Sequence, residues 1–460
     1  MTGESGGRGQ GLVAFVFAAA VVTGGLALDH GLGERAPAPA QSSAMDSGAW
    51  LCPHGGGSGW QGRLYLANPG TDPSTVRVTA LTAKSDSVVR TVAVDPGTTV
   101  EVDVPATEAE ASTYVEYFGA WVAAGWLTVS PDGNGVGAER CAAATDATTW
   151  YTANGGTPKG ATSNLVIMNP YGVNAIFDVV LFATDRAPVH QGNLTDVVLK
   201  PHRSMIVPLA QILPLEAAVG SEIDVHAGRL GVAALDTSVA HGVGAVLGTT
   251  RLETSVTIPL LAGAGQRSLS LVVPGPDGIR FDGSSLDETS AQPTAGLSNV
   301  AQEAQTSQSY SVVTSGATGL RLTEEQGSTG GFVASVVSLG EGTDPAETGG
   351  APPAARLVVL PTVAGDPSKP GLVITDPGTA AVTVTLHALS ASGPNDVTLD
   401  VAAGSSASAP IPFLSAAEDA GILITSTGGP VIAAGASESL GQMGIAAYAM
   451  AAGIAVPGPA

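Results

Sequence analysis

The stretch from Arg63 to Ala106 constrains the fold most, because its pattern returns along the rest of the chain. It reads RLYLANPG, STVRVTAL, VVRTVAVDPG and TTVEVDVPA, short apolar runs stopped at Asn68-Pro69-Gly70 and again at Pro96-Gly97. In Val100-Glu101-Val102-Asp103-Val104 apolar and polar residues alternate strictly. This is the two-residue period of a strand with one face buried and one in water, and it excludes helix here. Proline has no N–H to give to a ladder, so the NPG and DPG turns must close strands rather than sit inside them.

The same grammar recurs about every hundred residues, a period too long for a solenoid unit. A second copy opens with Trp150-Tyr151-Thr152, continues with NLVIMNP at Asn164 to Pro170, and closes with Gly242-Val243-Gly244-Ala245, as the first closes with Gly135-Val136-Gly137-Ala138. The last copy carries GLVITDPG from Gly371 to Gly378. Between them a degenerate copy keeps LSLVVPG at Leu269 to Gly275, but Gly283 to Ser309 is polar without apolar period and reads as a mobile loop or frayed sheet edge. Glu341 to Pro353 reads as a linker. The expected division is 1–47 for a cytoplasmic stub, anchor and spacer, then sandwich repeats at 48–149, 150–255, 256–355 (degenerate) and 356–460. Each repeat offers seven or eight short strands with turns every 8–12 residues, the pattern of an immunoglobulin-like β-sandwich that owns its own core. The all-β alternative is a β-propeller with two blades per repeat.

Gly11 to Leu28 carries no charge and as a helix would span about 27 Å, enough to cross a bilayer. Asp29 and Glu34 follow it, so the positive-inside rule orients it with the bulk of the chain outside. The small-x-small site Ala38-Pro39-Ala40 lies far beyond the apolar run, which favours a retained anchor over a cleaved signal peptide.

Cys52 and Cys141 are the only cysteines and bracket the first repeat. In an exported chain such a pair reads as a disulfide, and no CxxC supports a zinc site. A net charge of −22 opposes nucleic-acid binding, where Lys and Arg must displace counterions.

No catalytic, cofactor-binding or metal-ligating residue emerges. His54-Gly55-Gly56-Gly57 has the letters of a hydrolase oxyanion loop, but no Gly-x-Ser-x-Gly elbow accompanies it. The matching Asn154-Gly155-Gly156 of the second repeat points instead to a shared turn with positive φ. The histidines are scattered without a carboxylate at ligand spacing, and Glu324-Glu325 and Asp287-Glu288 read as solvated loop charges. All five tryptophans fall in the first repeat or at its exit. Trp60 in a Gly-rich loop, with Trp121 and Trp126, are the candidate ligand contacts; Trp121 and Trp126 are expected on opposite faces of one strand, at most one of them in the core.

The anchor, the Cys52-Pro53 opening, LxLxNPGxxxxxVxV at Leu64 to Val78 with its echoes at Asn169 and Asp376, and Cys141 together resemble an uncharacterised actinobacterial family of signal-anchored, β-rich envelope proteins, a domain-of-unknown-function family. The resemblance implies location and architecture and brings no catalytic residues. The expected function is therefore non-enzymatic. A membrane-anchored extracytoplasmic protein with a spacer or protein-interaction role is expected, its partners the membrane through the N-terminal helix and a cell-wall polymer or envelope protein. The alternatives are carbohydrate or cell-wall polymer binding through the Trp-rich first repeat and an unrecognised hydrolase.

Overall fold

The computed structural model describes residues 46–457 except 134, 239–241, 261–266, 315, 326, 328–329, 340–344, 361–364, 367–368, 418 and 441–445. The Gly11–Leu28 segment lies outside the described residues. Among those described, no helix is long and apolar enough to cross a membrane.

The first module shows how the repeat folds. Its strands are β1 (Asp46–Cys52), β2 (Gln61–Asn68), β3 (Ser74–Leu81), β4 (Asp86–Val94), β5 (Thr98–Pro105), β6 (Ser112–Gly119), β7 (Ala123–Val129), β8 (Val136–Arg140) and β9 (Ala142–Ala143). They form two antiparallel sheets, ordered β4-β3-β6-β1-β9 and β5-β2-β7-β8. The sandwich expected from the turn spacing is what forms, and the sheets are not propeller blades. The alternation read in Val100–Val104 is real, with Val102 and Val104 buried and Glu101 and Asp103 exposed. The turn motif has a physical reason too. The Asn68 side chain donates to the carbonyls of Asp72 (2.8 Å) and Val94 (3.0 Å) and accepts from the Gly70 N–H (2.9 Å), so it ties the β2–β3 turn to the end of β4. Asn169 repeats this with Val173, Leu199 and Tyr171.

The same paired sheets recur three times with the same relative strand order. The third copy is complete, contrary to its degenerate sequence. Ala291–Pro293 and Val300–Gln302 are short edge strands paired to Ile279–Leu286, so of the two readings of the polar segment, mobile loop or sheet edge, the sheet edge is what forms. Its polarity follows from that edge position, where one side faces water. Likewise Pro345–Gly349, inside the expected linker, is a strand paired to Val333–Leu339.

The modules are not independent beads. Ser47–Ala460 forms one compact unit. The closing strand of each module, namely β8, Gly242–Leu247, Pro345–Gly349 and Ala446–Ala452, packs against its counterparts in the preceding and following modules, and the fourth returns to the first. These four strands belong to separate sheets, so the cycle is closed by packing rather than by a shared ladder. The expectation that each repeat owns a separate core is corrected accordingly: one apolar cluster runs from Leu64 and Trp126 of the first module through Leu235 and Val243 of the second to Leu360 and Ala449 of the fourth. The sequence reason is visible in the second strand of each module. Leu64 to Ala67, Leu165 to Met168, Leu271 to Val273 and Leu372 to Ile374 are buried at every position, which a sheet covered on both faces requires.

Candidate functional site

The residues singled out in the sequence are mostly structural. Cys52 and Cys141 form a disulfide that ties β1 to the residue following β8. His54 is fully buried, its Nδ1 2.8 Å from the Gly55 carbonyl and its Nε2 2.9 Å from the Thr113 hydroxyl; burial pushes its pKa down to about 4. Gly55 takes the expected positive φ, but Gly155 does not. What the two loops share is close backbone approach, since a Cβ on Gly56 would meet the Ala106 carbonyl at 2.0 Å and one on Gly156 the Glu216 carbonyl at 2.5 Å.

Trp126 is 1 % exposed and lies against His54, ring centroids 6.0 Å apart, so it has no surface to offer a ligand. Trp121 precedes the strand rather than sharing it and packs edge-on against Trp50 at 5.8 Å. Trp60 is partly buried against the same core, its indole folded over Gly57. The structure thus gathers Trp50, Trp60, Trp121 and Trp126 into and around one core, places Trp150 in the core of the second module, and does not assemble them into an open platform.

Where the four modules meet, the centre holds three acidic residues that sequence reading did not single out. Glu139 on β8 is 2 % exposed and accepts backbone N–H groups from Arg140 (2.8 Å), from Leu247 of the second closing strand and from Ala452 of the fourth. Burial raises its pKa, with Arg140 and these N–H groups opposing the shift. Glu347 on the third closing strand is 3 % exposed and accepts from the Ser335 hydroxyl at 3.0 Å. Its carboxyl lies over Gly244, where a Cβ would meet Oε2 at 2.6 Å, so any larger residue at that position of the second closing strand would displace the carboxyl. Opposite Gly244 in its hairpin stands Asp236, which accepts from Ser163 and, at 3.1 Å, from the Gly155 N–H. The same N–H serves Glu347. Burial, only partly offset by these bonds, pushes Asp236 up to about 6; burial and then the facing Asp236 hold Glu347 well above the carboxylate range. Two carboxyls sharing one donor favour a protonated state of the pair.

Beside this centre a cleft of about 560 Å³ opens, with walls from every module: Arg140 from the first, Leu247 from the second, Arg321 and Phe332 from the third, Pro377 from the fourth. Arg251 enters from the segment joining the second and third modules. That segment is fixed at both ends, Thr249 bridging to Tyr151 and Glu253 to Phe332. Arg140 follows Glu139 and precedes the disulfide-bonded Cys141; Arg321 sits on a strand paired on both sides, to Thr257 and Ser284. Glu253 is the one carboxylate in the lining among the described residues.

Two other clusters depart from expectation. His226, read as isolated, has Asp178 at 3.4 Å, Asp196 at 3.6 Å and Asp224 at 3.7 Å, and Asp178, Asp196 and His226 are spaced closely enough to hold a metal ion. Asp224 and His226 are two apart on one strand and so share a face, while the other two arrive through the pairing of neighbouring segments, which spacing alone does not reveal. Glu324 is not a loop charge: it ends strand Gly319–Glu324, pairs with Phe281 and is buried.

The fold and site define a class, an all-β chain whose tandem sandwiches close on a shared centre and build one cleft between them. The chain belongs to the family of unknown function DUF5719, whose model matches residues 115–356. The three arginines and the three central acids all fall inside that match. No curated protein matches the chain.

Proposed function

We propose that the chain is a non-enzymatic, extracytoplasmic binding protein of the cell envelope, and that its recognition site is the cleft where the modules meet. The observation that carries this reading is that every module contributes a wall, so closure of the cycle creates a concave surface that no single module has. Concave sites of a few hundred Å³ at module junctions are where ligands bind most often. The disulfide supports an oxidising compartment, and the acidic net charge speaks against nucleic acid. Attachment through Gly11–Leu28 belongs to the same proposal; it places intact protein in the membrane fraction with its modules cleavable by external protease. Packing of Trp50, Trp60, Trp121 and Trp126 in and against the first core favours the cleft over a carbohydrate platform on the first module.

A photo-crosslinking residue at Thr323, in the cleft lining, should give an adduct in intact cells that the same residue at Val88, on the outer edge strand β4, does not. Equal adducts from both positions, or none from Thr323, would contradict the reading.

A further inference from the structure

We propose that the cleft is an oxyanion site, and that its ligand presents phosphate or carboxylate groups to Arg140, Arg251 and Arg321. The inference rests on the reading of the cleft as the recognition site and deepens it. The chain has 18 cationic against 40 acidic side chains, so three arginines converging on one cleft run against its overall charge. The surrounding acidity does not neutralise them. Arg251 and Arg321 make no salt bridge among the described residues, and Arg140 only approaches Glu139, its Nε 3.9 Å from Oε1. Asp376 acts on Arg321 without pairing with it. Arg321 Nη2 and Arg140 Nε are buried donors with no hydrogen-bond partner among the described residues. Guanidinium groups that line a cleft without a close carboxylate partner are what a bidentate oxyanion satisfies. The three arginines stand on a disulfide-adjacent strand end, a doubly bridged crossover and an interior strand, so their backbone positions are fixed before any ligand arrives, which lowers the ordering cost of binding. The apolar part of the lining, Phe332 with Pro377 and Val256, fits a ligand whose remainder is uncharged.

The test titrates the intact chain calorimetrically with inorganic pyrophosphate, with citrate, and with a short poly(glycerol phosphate), at physiological ionic strength. Saturable binding of at least one is expected. Pyrophosphate and citrate together mark a site for any dense oxyanion, and the polymer alone marks one for a chain of phosphodiesters. Arg251→Gln and Arg321→Gln should each weaken that binding at least about tenfold, as loss of a charge-assisted bidentate contact does, with unchanged melting temperature for the exposed Arg251. Arg321→Lys should restore part of the loss. Absence of binding by all three probes, or binding indifferent to both Gln variants, overturns the assignment. If the Thr323 photoprobe nevertheless captures a partner, the oxyanion assignment alone has failed; if neither experiment succeeds, the recognition reading fails with it.

Discussion

Asn68 and Asn169 hold equivalent turns by donating through the amide nitrogen and accepting through the amide oxygen, and Asp376 stands at the same place in the fourth module. Its Oδ1 accepts from Gly378 N–H at 2.7 Å, as Asn68 accepts from Gly70. Its Oδ2, where the others carry a donor, is buried without a partner. Burial raises its pKa, opposed by the Gly378 bond and by Arg321. Asp376→Asn should therefore stabilise the fold at pH 7.5 by roughly 1 kcal/mol, the net value of a recovered hydrogen bond. The gain should shrink as pH falls into the carboxylate range, where protonation lets Asp376 itself donate. A lower melting temperature for the variant at pH 7.5 would show that the attraction to Arg321 outweighs the turn. At this scale the sequence was partly legible. The NPG, NPY and DPG echoes marked the turns, but the loss of a donor at Asp376 becomes meaningful only once the Asn68 bonds are seen. The three arginines were not legible at all, because they lie far apart in the chain and only closure of the cycle brings them together.

Among the elements, the closing strands carry the account. The Gly-Val-Gly-Ala sequences of the first two were readable as repeat ends, and the structure supplies the reason for the small residues: Cβ atoms on Gly135 and Gly137 would meet Val243 at 2.6 and 2.9 Å. The apolar runs at the second strand of each module also hinted at burial on both faces, a hint that alternation in Val100–Val104 tends to hide. The acids between the closing strands give a pH dependence with a definite sign. Glu347 faces Asp236 and, farther off, Glu139, whose neighbour is Arg140. All three acids have folded-state pKa values above the ordinary carboxylate range of about 4. The folded state thus binds protons that the unfolded chain releases, so their contribution is present at and below the ordinary carboxylate pKa and is lost as pH rises through about 6 and beyond. The three acids thus favour a higher melting temperature at pH 5 than at pH 7.5 for residues 46–460, against the opposite contribution of His54, which burial holds neutral down to about pH 4. Glu347→Gln, which keeps an acceptor for Ser335 and adds a donor for Asp236, should raise the melting temperature at pH 7.5 and flatten the dependence. A variant as pH-sensitive as the parent would place the effect elsewhere, in the general repulsion of an acidic chain.

At the scale of the molecule, fold class, the repeat period and the disulfide partners were available from strand grammar and cysteine count. Closure was not, because a hundred-residue period is equally compatible with a string. Closure changes what the disulfide should do. Replacing Cys52 and Cys141 with Ser frees a long loop and should cost about 4.6 kcal/mol in the chain-entropy model. Since the first core continues into the second and fourth modules, calorimetry should show the main transition shift as a whole; an early separate transition with the remainder unmoved would mean the modules unfold independently. Small-angle X-ray scattering on residues 46–460 tests closure itself. A single compact unit of this length should have a radius of gyration of about 22 Å, and four separate sandwiches of about 13 Å each, strung end to end, about 40 Å. The closed arrangement predicts the smaller value, and a radius near the larger one would contradict it.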